Sequence, residues 1–208
     1  IEPFARQIRE ETRIKGLKLP GSNVTSKISQ YADDTTIIVT NLSSVRYVFD
    51  TCKKFELASG SFLNLEKCWG IWLGAWRKKT DSLYGINWTN GMRKILGVQI
   101  GNGDMIRTNW AVVIPKVENA IRSFARRNLS FLAKSNLITS IICSKLWYVG
   151  TFIELPKDIC IKLERLMFNF LWGKKPEAVN RVTMQLPLWE GGYRVVNGGK
   201  KITALHVK

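Results

Sequence analysis

The sequence predicts an α+β fold: antiparallel β hairpins with flanking helices, followed by an α-helical bundle. Three observations predict it. Short β-favouring runs bounded by turn residues recur as far as Ile100, apolar residues then return at helix spacing from Trp110 to Trp172, and the period changes at Gly101-Asn102-Gly103.

Taken in order, Pro3 to Arg13 reads as a short helix with Phe4 and Ile8 on one face, followed by the turn-rich Leu19-Pro20-Gly21-Ser22-Asn23. Lys27 to Tyr31 and Thr35 to Thr40 are β-favouring segments on either side of a tight acidic turn, the signature of a hairpin. Ser43 or Ser44 is the expected cap of a helix running to about Ala58, with Val45, Val48, Phe49, Cys52 and Phe55 as its apolar stripe and Gly60 as its stop. Two further strands are expected at Trp69 to Leu73 and Met92 to Ile100, joined by a polar loop holding Lys78-Lys79 and Asn90-Gly91.

Trp110, Val113, Ile114, Val117, Ile121 and Phe124 then mark a helix in which Pro115 must sit in the first turn or break the segment. A second helix is expected from Lys134 to Gly150. A third runs from Pro156 or Lys157 to Trp172, with Ile159, Leu163, Leu166, Met167 and Phe170 on one face, which makes a three-helix unit. From Gly173 onward Pro, Gly and isolated aromatics predict little regular structure.

The chain has 208 residues, long enough for one large or two small units, and its 45% hydrophobic content with eight Trp can offset the entropy of ordering a core. Its 32 Lys and Arg against 16 Asp and Glu leave a net charge of +16, which makes nucleic acid the leading partner; contact with anionic lipid or mere solubility are the alternatives. No run reaches the ~20 apolar residues of a membrane span: the best, Leu137 to Val149, is interrupted by Thr139, Ser140, Ser144 and Lys145. Cys52, Cys68, Cys143 and Cys160 lack C-x-x-C spacing and the one histidine is His206, so free thiols in a reducing, intracellular compartment, nuclear or cytoplasmic, are expected in place of zinc ligands. With no initiating Met and a helical segment already under way at Ile1, the chain is expected to be a fragment of something longer.

The residues that bear chemistry are Gln30-Tyr31-Ala32-Asp33-Asp34-Thr35, at the tip of the predicted hairpin. Nucleotidyl transfer needs carboxylates converging on two Mg²⁺ ions, and a hairpin tip is a rigid place to present them. Mg²⁺ keeps several of its waters, so one or two protein carboxylates suffice where substrate phosphates complete the shell. Adjacent Asp residues also serve ordinary turns, because their side chains bond the backbone ahead.

Tyr31-Ala32-Asp33-Asp34 between two β segments resembles motif C in the palm of reverse transcriptases, and the landmarks that follow keep the family's order. Ser59-Gly60 with Leu63-Asn64-Leu65-Glu66-Lys67 is similar to motif D, and Ile95-Leu96-Gly97-Val98 is similar to motif E, the primer grip. Leu129-Ser130, Ser144-Lys145-Leu146-Trp147-Tyr148, Leu155-Pro156, Phe170-Leu171-Trp172-Gly173 and Gly191-Gly192 resemble thumb and post-thumb landmarks of non-LTR (LINE-type) retrotransposon enzymes. The resemblance implies a partial polymerase palm over 1–104, a helical thumb over 105–173 and a post-thumb segment over 174–208.

It implies further that Asp33 is a metal ligand and Asp34 a supporting carboxylate of the same Mg²⁺ site. Tyr31 would lie beneath the primer terminus, with Leu96 and Gly97 as a turn steadying the primer strand. Lys67 would approach the leaving pyrophosphate; a solvated surface lysine is the alternative. The implied partners are an RNA template, a DNA primer and, in the complete enzyme, deoxynucleoside triphosphates; the apolar pattern gives no expectation of a membrane, and no obligate protein partner is inferred. The facing carboxylate of motif A and the nucleotide-selecting motif B have no counterpart here, since Glu2, Glu10 and Glu11 resemble neither. The chain alone is therefore expected not to polymerise.

Arg122, Arg126, Arg127, Lys134, Lys145, Lys157, Lys162 and Arg165 on the helices are candidate phosphate contacts, sequence-independent and salt-sensitive, with the wet face of an amphipathic bundle as the alternative. Lys174-Lys175 and Lys200-Lys201 would add to them or keep the tail soluble. Trp110, Trp147 and Trp172 lie on predicted apolar faces, which favours core packing over base stacking. Two rival readings are a group II intron-type enzyme and a non-catalytic nucleic-acid-binding protein from a decayed or domesticated element.

Overall fold

The computed structural model describes residues 2–173 and 175–206. Its class is α+β, as expected. The chain divides into two compact units, Ile1–Gly70 with Asp81–Trp88, and Ile71–Thr80 with Thr89–Lys208.

The first unit opens with α1 (Glu2–Glu10), which buries Phe4, Ala5 and Ile8. The Lys27 ammonium closes the end of that helix, donating to the carbonyls of Arg9 and Glu11 at 2.8 Å each. A short hairpin of β1 (Leu17–Lys18) and β2 (Thr25–Ser26) flanks the expected turn. Then come β3 (Ile28–Tyr31) and β4 (Asp34–Ile37), an antiparallel pair, and α2 (Leu42–Ser59). The cap of α2 is Asn41, not Ser43 or Ser44: the Asn41 side chain accepts from the Ser44 N–H at 2.8 Å. Ser44 lies one turn inside, buried, where its hydroxyl oxygen accepts from the Lys15 N–H at 2.8 Å. Gly60, at φ 70°, ends the helix in the left-handed conformation as predicted. Phe4, Ile8, Ile14 and Val48 form the core, with Ile28, Ile37, Val39, Tyr47, Cys52 and Phe55 packed on it.

Further strand pairs are β5 (Trp69–Ile71) with β6 (Asn87–Thr89), and β7 (Met92–Ile95) with β8 (Val98–Gly101). The stretch Met92 to Ile100 is thus a hairpin rather than one strand, because two left-handed residues, Leu96 and Gly97, fold it back.

The second unit continues with α3 (Met105–Ala125), α4 (Phe131–Leu137), a π-helical turn (Ile138–Ile142), α5 (Ser144–Phe152) and α6 (Lys157–Trp172). In the π turn the Cys143 N–H reaches the Ile138 carbonyl at 2.8 Å, one residue further back than an α-helix allows. Pro115 is inside α3, neither in its first turn nor a break. Its missing N–H is tolerated because Trp110, Val113 and Val117 are buried on both sides of it, and packing overrides the local penalty.

The tail corrects the expectation of little structure. It forms α7 (Arg181–Gln185) and α8 (Gly198–His206), and places Met184, Val195 and Ile202 in the same core as Trp110, Ile142, Leu146, Leu163, Met167 and Leu171. Those apolar residues are isolated in sequence and give no period, so only burial against the bundle orders them. The bundle is tied by the Trp110 indole, which donates to the Glu154 carbonyl at 2.7 Å, and by the ion pairs Lys162–Glu118 at 3.3 Å and Arg107–Asp158 at 3.1 Å.

All four cysteines are free thiols. Burial pushes the Cys143 thiol up to about 12 and that of Cys52 up to about 11, so neither is a nucleophile at neutral pH. Among the described residues no helix is long and apolar enough to cross a membrane.

Candidate active site

The register of β3 and β4 fixes the acidic tip. Tyr31 pairs with Asp34 and Gln30 with Thr35, so only Ala32 and Asp33 form the turn. Asp34 is thereby the first residue of β4 rather than part of the bend. Ala32 takes φ 53° while Asp33 does not share a positive φ, the pattern of a type II′ turn with alanine where glycine is usual. That placement stores on the order of 1–2 kcal/mol of local strain.

Strand alternation then sorts the side chains. Ile28 and Ile37, three steps back along each strand, pack into the core of their unit. Tyr31 and Asp34 must therefore share the opposite face, and Tyr31 is 69% exposed. The Gln30 amide donates to the Thr35 hydroxyl at 3.1 Å and braces the hairpin one pair behind the tip. Asp33 and Asp34 are both exposed, and neither carboxylate has a hydrogen-bond or ion-pair partner among the described residues.

These two carboxylates supply hard oxygen ligands on a short, rigid ribbon, which fits one side of a magnesium site whose remaining positions are water and phosphate oxygen. Among the described residues no group of three or more His, Cys, Asp or Glu gathers anywhere. A two-metal centre needs a further carboxylate facing Asp33.

Lys67 lies on the exposed turn after α2, where among the described residues it is held through its backbone, whose N–H donates to the Asn64 side chain at 3.2 Å. No bond joins its ammonium to either aspartate.

In the second unit Leu96 and Gly97 take φ 45° and φ 89°, both left-handed, as a type I′ turn requires. Leucine is an uncommon first residue there. Two side chains that the sequence did not single out for this role hold the hairpin. Asn109, buried on α3, accepts from the Gln99 N–H at 2.8 Å and donates to the Gln99 carbonyl at 2.9 Å, mimicking a neighbouring strand. Tyr148 on α5 donates its hydroxyl to the Leu96 carbonyl. Neither contact leaves a local pattern, since the partners lie 10 and 52 residues apart.

The predicted cations fall into two groups. Arg122, Arg126 and Arg127 cluster exposed at the end of α3, with the Arg127 guanidinium 5.1 Å over the Phe124 ring, and Lys145 is exposed on α5. Lys134 is half-buried and donates to the Leu171 carbonyl at 3.1 Å, so its charge closes the end of α6. Lys162 is spent on Glu118, whereas Lys157, Arg165, Lys175, Lys200 and Lys201 are exposed; Lys174 lies outside the described residues. Trp110 is fully buried, and Trp147 and Trp172 pack on the same core, which accounts for them without bases.

No family model matches this chain. The chain is similar to the Transposon TX1 uncharacterized 149 kDa protein of Xenopus laevis, with 27% identity over 204 residues. The match covers 94% of this chain, which spans 15% of the length of that relative.

Proposed function

We propose that this chain is the palm-to-thumb part of an RNA-directed DNA polymerase, a reverse transcriptase of the LINE-type retrotransposon class. The single observation that carries the reading is the exposed Asp33-Asp34 pair, one in the two-residue bend and one opening β4, with no hydrogen-bond or ion-pair partner among the described residues, on a ribbon whose other face is anchored in a core. The likeness to a transposon protein along nearly the whole chain supports a mobile-element origin.

In this reading Asp33 and Asp34 hold magnesium, which when bound supplies activation of the primer 3′-oxygen and steadies the outgoing pyrophosphate. Tyr31, on the face it shares with Asp34, supports the primer terminus. Lys67 offsets charge on the leaving group. Leu96 and Gly97 present backbone to the primer strand, and Arg122, Arg126, Arg127 and Lys145 hold phosphates of the duplex without reading sequence. The palm spans 1–104, the thumb 105–173 and the post-thumb segment 174–208.

The test is magnesium-dependent primer extension on an RNA template by the longer polypeptide that contains this stretch. Asp33→Asn and Asp34→Asn should each lower extension by on the order of 100-fold or more. Their melting temperatures should stay at the wild-type value, because neither carboxylate makes an internal bond. The 208-residue chain alone should bind the hybrid and extend nothing. Full activity in Asp33→Asn would sink the reading. Binding without extension by the wild-type longer polypeptide would give the non-catalytic alternative its place.

A further inference from the structure

We propose that Tyr148 is the positioning residue of the Leu96–Gly97 turn, holding it in the left-handed conformation in which its backbone meets the primer strand. This rests on the reading of that turn as a primer contact.

Three observations converge on Tyr148. Its hydroxyl donates to the carbonyl of Leu96, the first and more strained of the two turn residues. Its ring lies against the second: a Cβ placed on Gly97 would be 3.2 Å from Tyr148 Cε1, so ring and glycine fit as a pair. The ring is itself braced by Phe152, one helical turn on, at a centroid distance of 5.5 Å and 73° between planes. Tyr148 and Phe152 nevertheless remain 48% and 61% exposed, so the brace is a surface device and no part of the core.

The hairpin thus has two supports on two helices. Asn109 of α3 fixes the strand at Gln99, and Tyr148 of α5 fixes the tip. Leucine holds a left-handed bend at a cost, because its Cβ crowds the following carbonyl; glycine lacks that Cβ, and asparagine offsets the cost by bonding the local backbone. The phenol hydroxyl supplies what the local sequence lacks. A phenylalanine at this position would keep the ring contact and lose the bond, which separates the two contributions.

The experiment uses the whole chain and an RNA–DNA hybrid with 2-aminopurine at the primer 3′ end. Tyr148→Phe should bind within about twofold of wild type, since phosphate contacts set the affinity. The 2-aminopurine fluorescence of its complex should differ from the wild-type complex, and hydrogen exchange at residues 96–98 of the unbound protein should quicken roughly tenfold. Adding Leu96→Asn to Tyr148→Phe should restore both signals, a rescue that a merely structural tyrosine would not show. Fluorescence and exchange unchanged in Tyr148→Phe would overturn the proposal. Failure of the wild-type chain to bind the hybrid would overturn the primer role and the polymerase reading together. Slow exchange at 96–98 that depends on the Tyr148 hydroxyl would still distinguish that failure from an error about the turn itself.

Discussion

The β3–β4 and β7–β8 hairpins both end in exposed tips that are built alike and held differently. Each has a two-residue turn with a non-glycine residue at positive φ, Ala32 in one and Leu96 in the other. The β3–β4 tip is held by its own ribbon, through strand pairing and the Gln30–Thr35 bond, and leaves two carboxylates unspent. The β7–β8 tip is pinned from outside by Asn109 and Tyr148. The difference teaches what each tip can offer: a self-supported bend keeps its side chains open to an ion, whereas a pinned bend offers a fixed stretch of main chain.

The largest way to break the comparison is to remove the support of the pinned hairpin. Trp110→Ala deletes a fully buried indole and its bond to the Glu154 carbonyl, and should cost about 3–5 kcal/mol in denaturant unfolding. Hydrogen exchange should rise across β7–β8 and the helices and stay at wild-type rates in β3–β4. A smaller change is sharper. Asn109→Leu leaves the Gln99 N–H and carbonyl without their partner and should cost about 1–3 kcal/mol, with the exchange increase centred on β8. Smallest is Ala32→Gly, which removes the left-handed penalty but adds chain entropy, so the net should be a gain of no more than about 1 kcal/mol. A loss of stability in Ala32→Gly would show that the β3–β4 bend is not strained.

Much of this was legible in the sequence because it was local. The hairpin around Asp33, the Gly60 stop and the spans of α2 and α6 follow from turn chemistry and periodicity over a few residues, whereas α3 runs through Pro115 where the local penalty predicts a start or a break. The cap at Asn41 was missed because three candidate caps stand within four positions, and only tertiary bonding assigns Ser44 to the interior. The tail helices were missed because Met184, Val195 and Ile202 are single apolar residues with no repeat, ordered by a core built elsewhere. In the candidate site the bend that carries Asp33 could be placed from sequence, since its turn propensity is local. The supports at Asn109 and Tyr148 could not, since each joins residues remote in sequence. Likewise, charge alone could not separate Lys134, whose ammonium closes a helix, from the open arginines of α3.

The π-helical turn at Ile138–Ile142 has a consequence for how this stretch can vary in length. Upstream of it Ser135 faces inward and donates to the Tyr193 carbonyl; downstream Leu146 and Val149 face the core while Tyr148 reaches Leu96. An α-helix advances about 100° per residue, so the widened turn sets the rotational phase between these contacts. Losing or gaining one residue there would swing α5 by that angle and carry the phenol away from the bend it holds. The count of residues between Ser135 and Tyr148 is therefore as much a requirement of the fold as their identities.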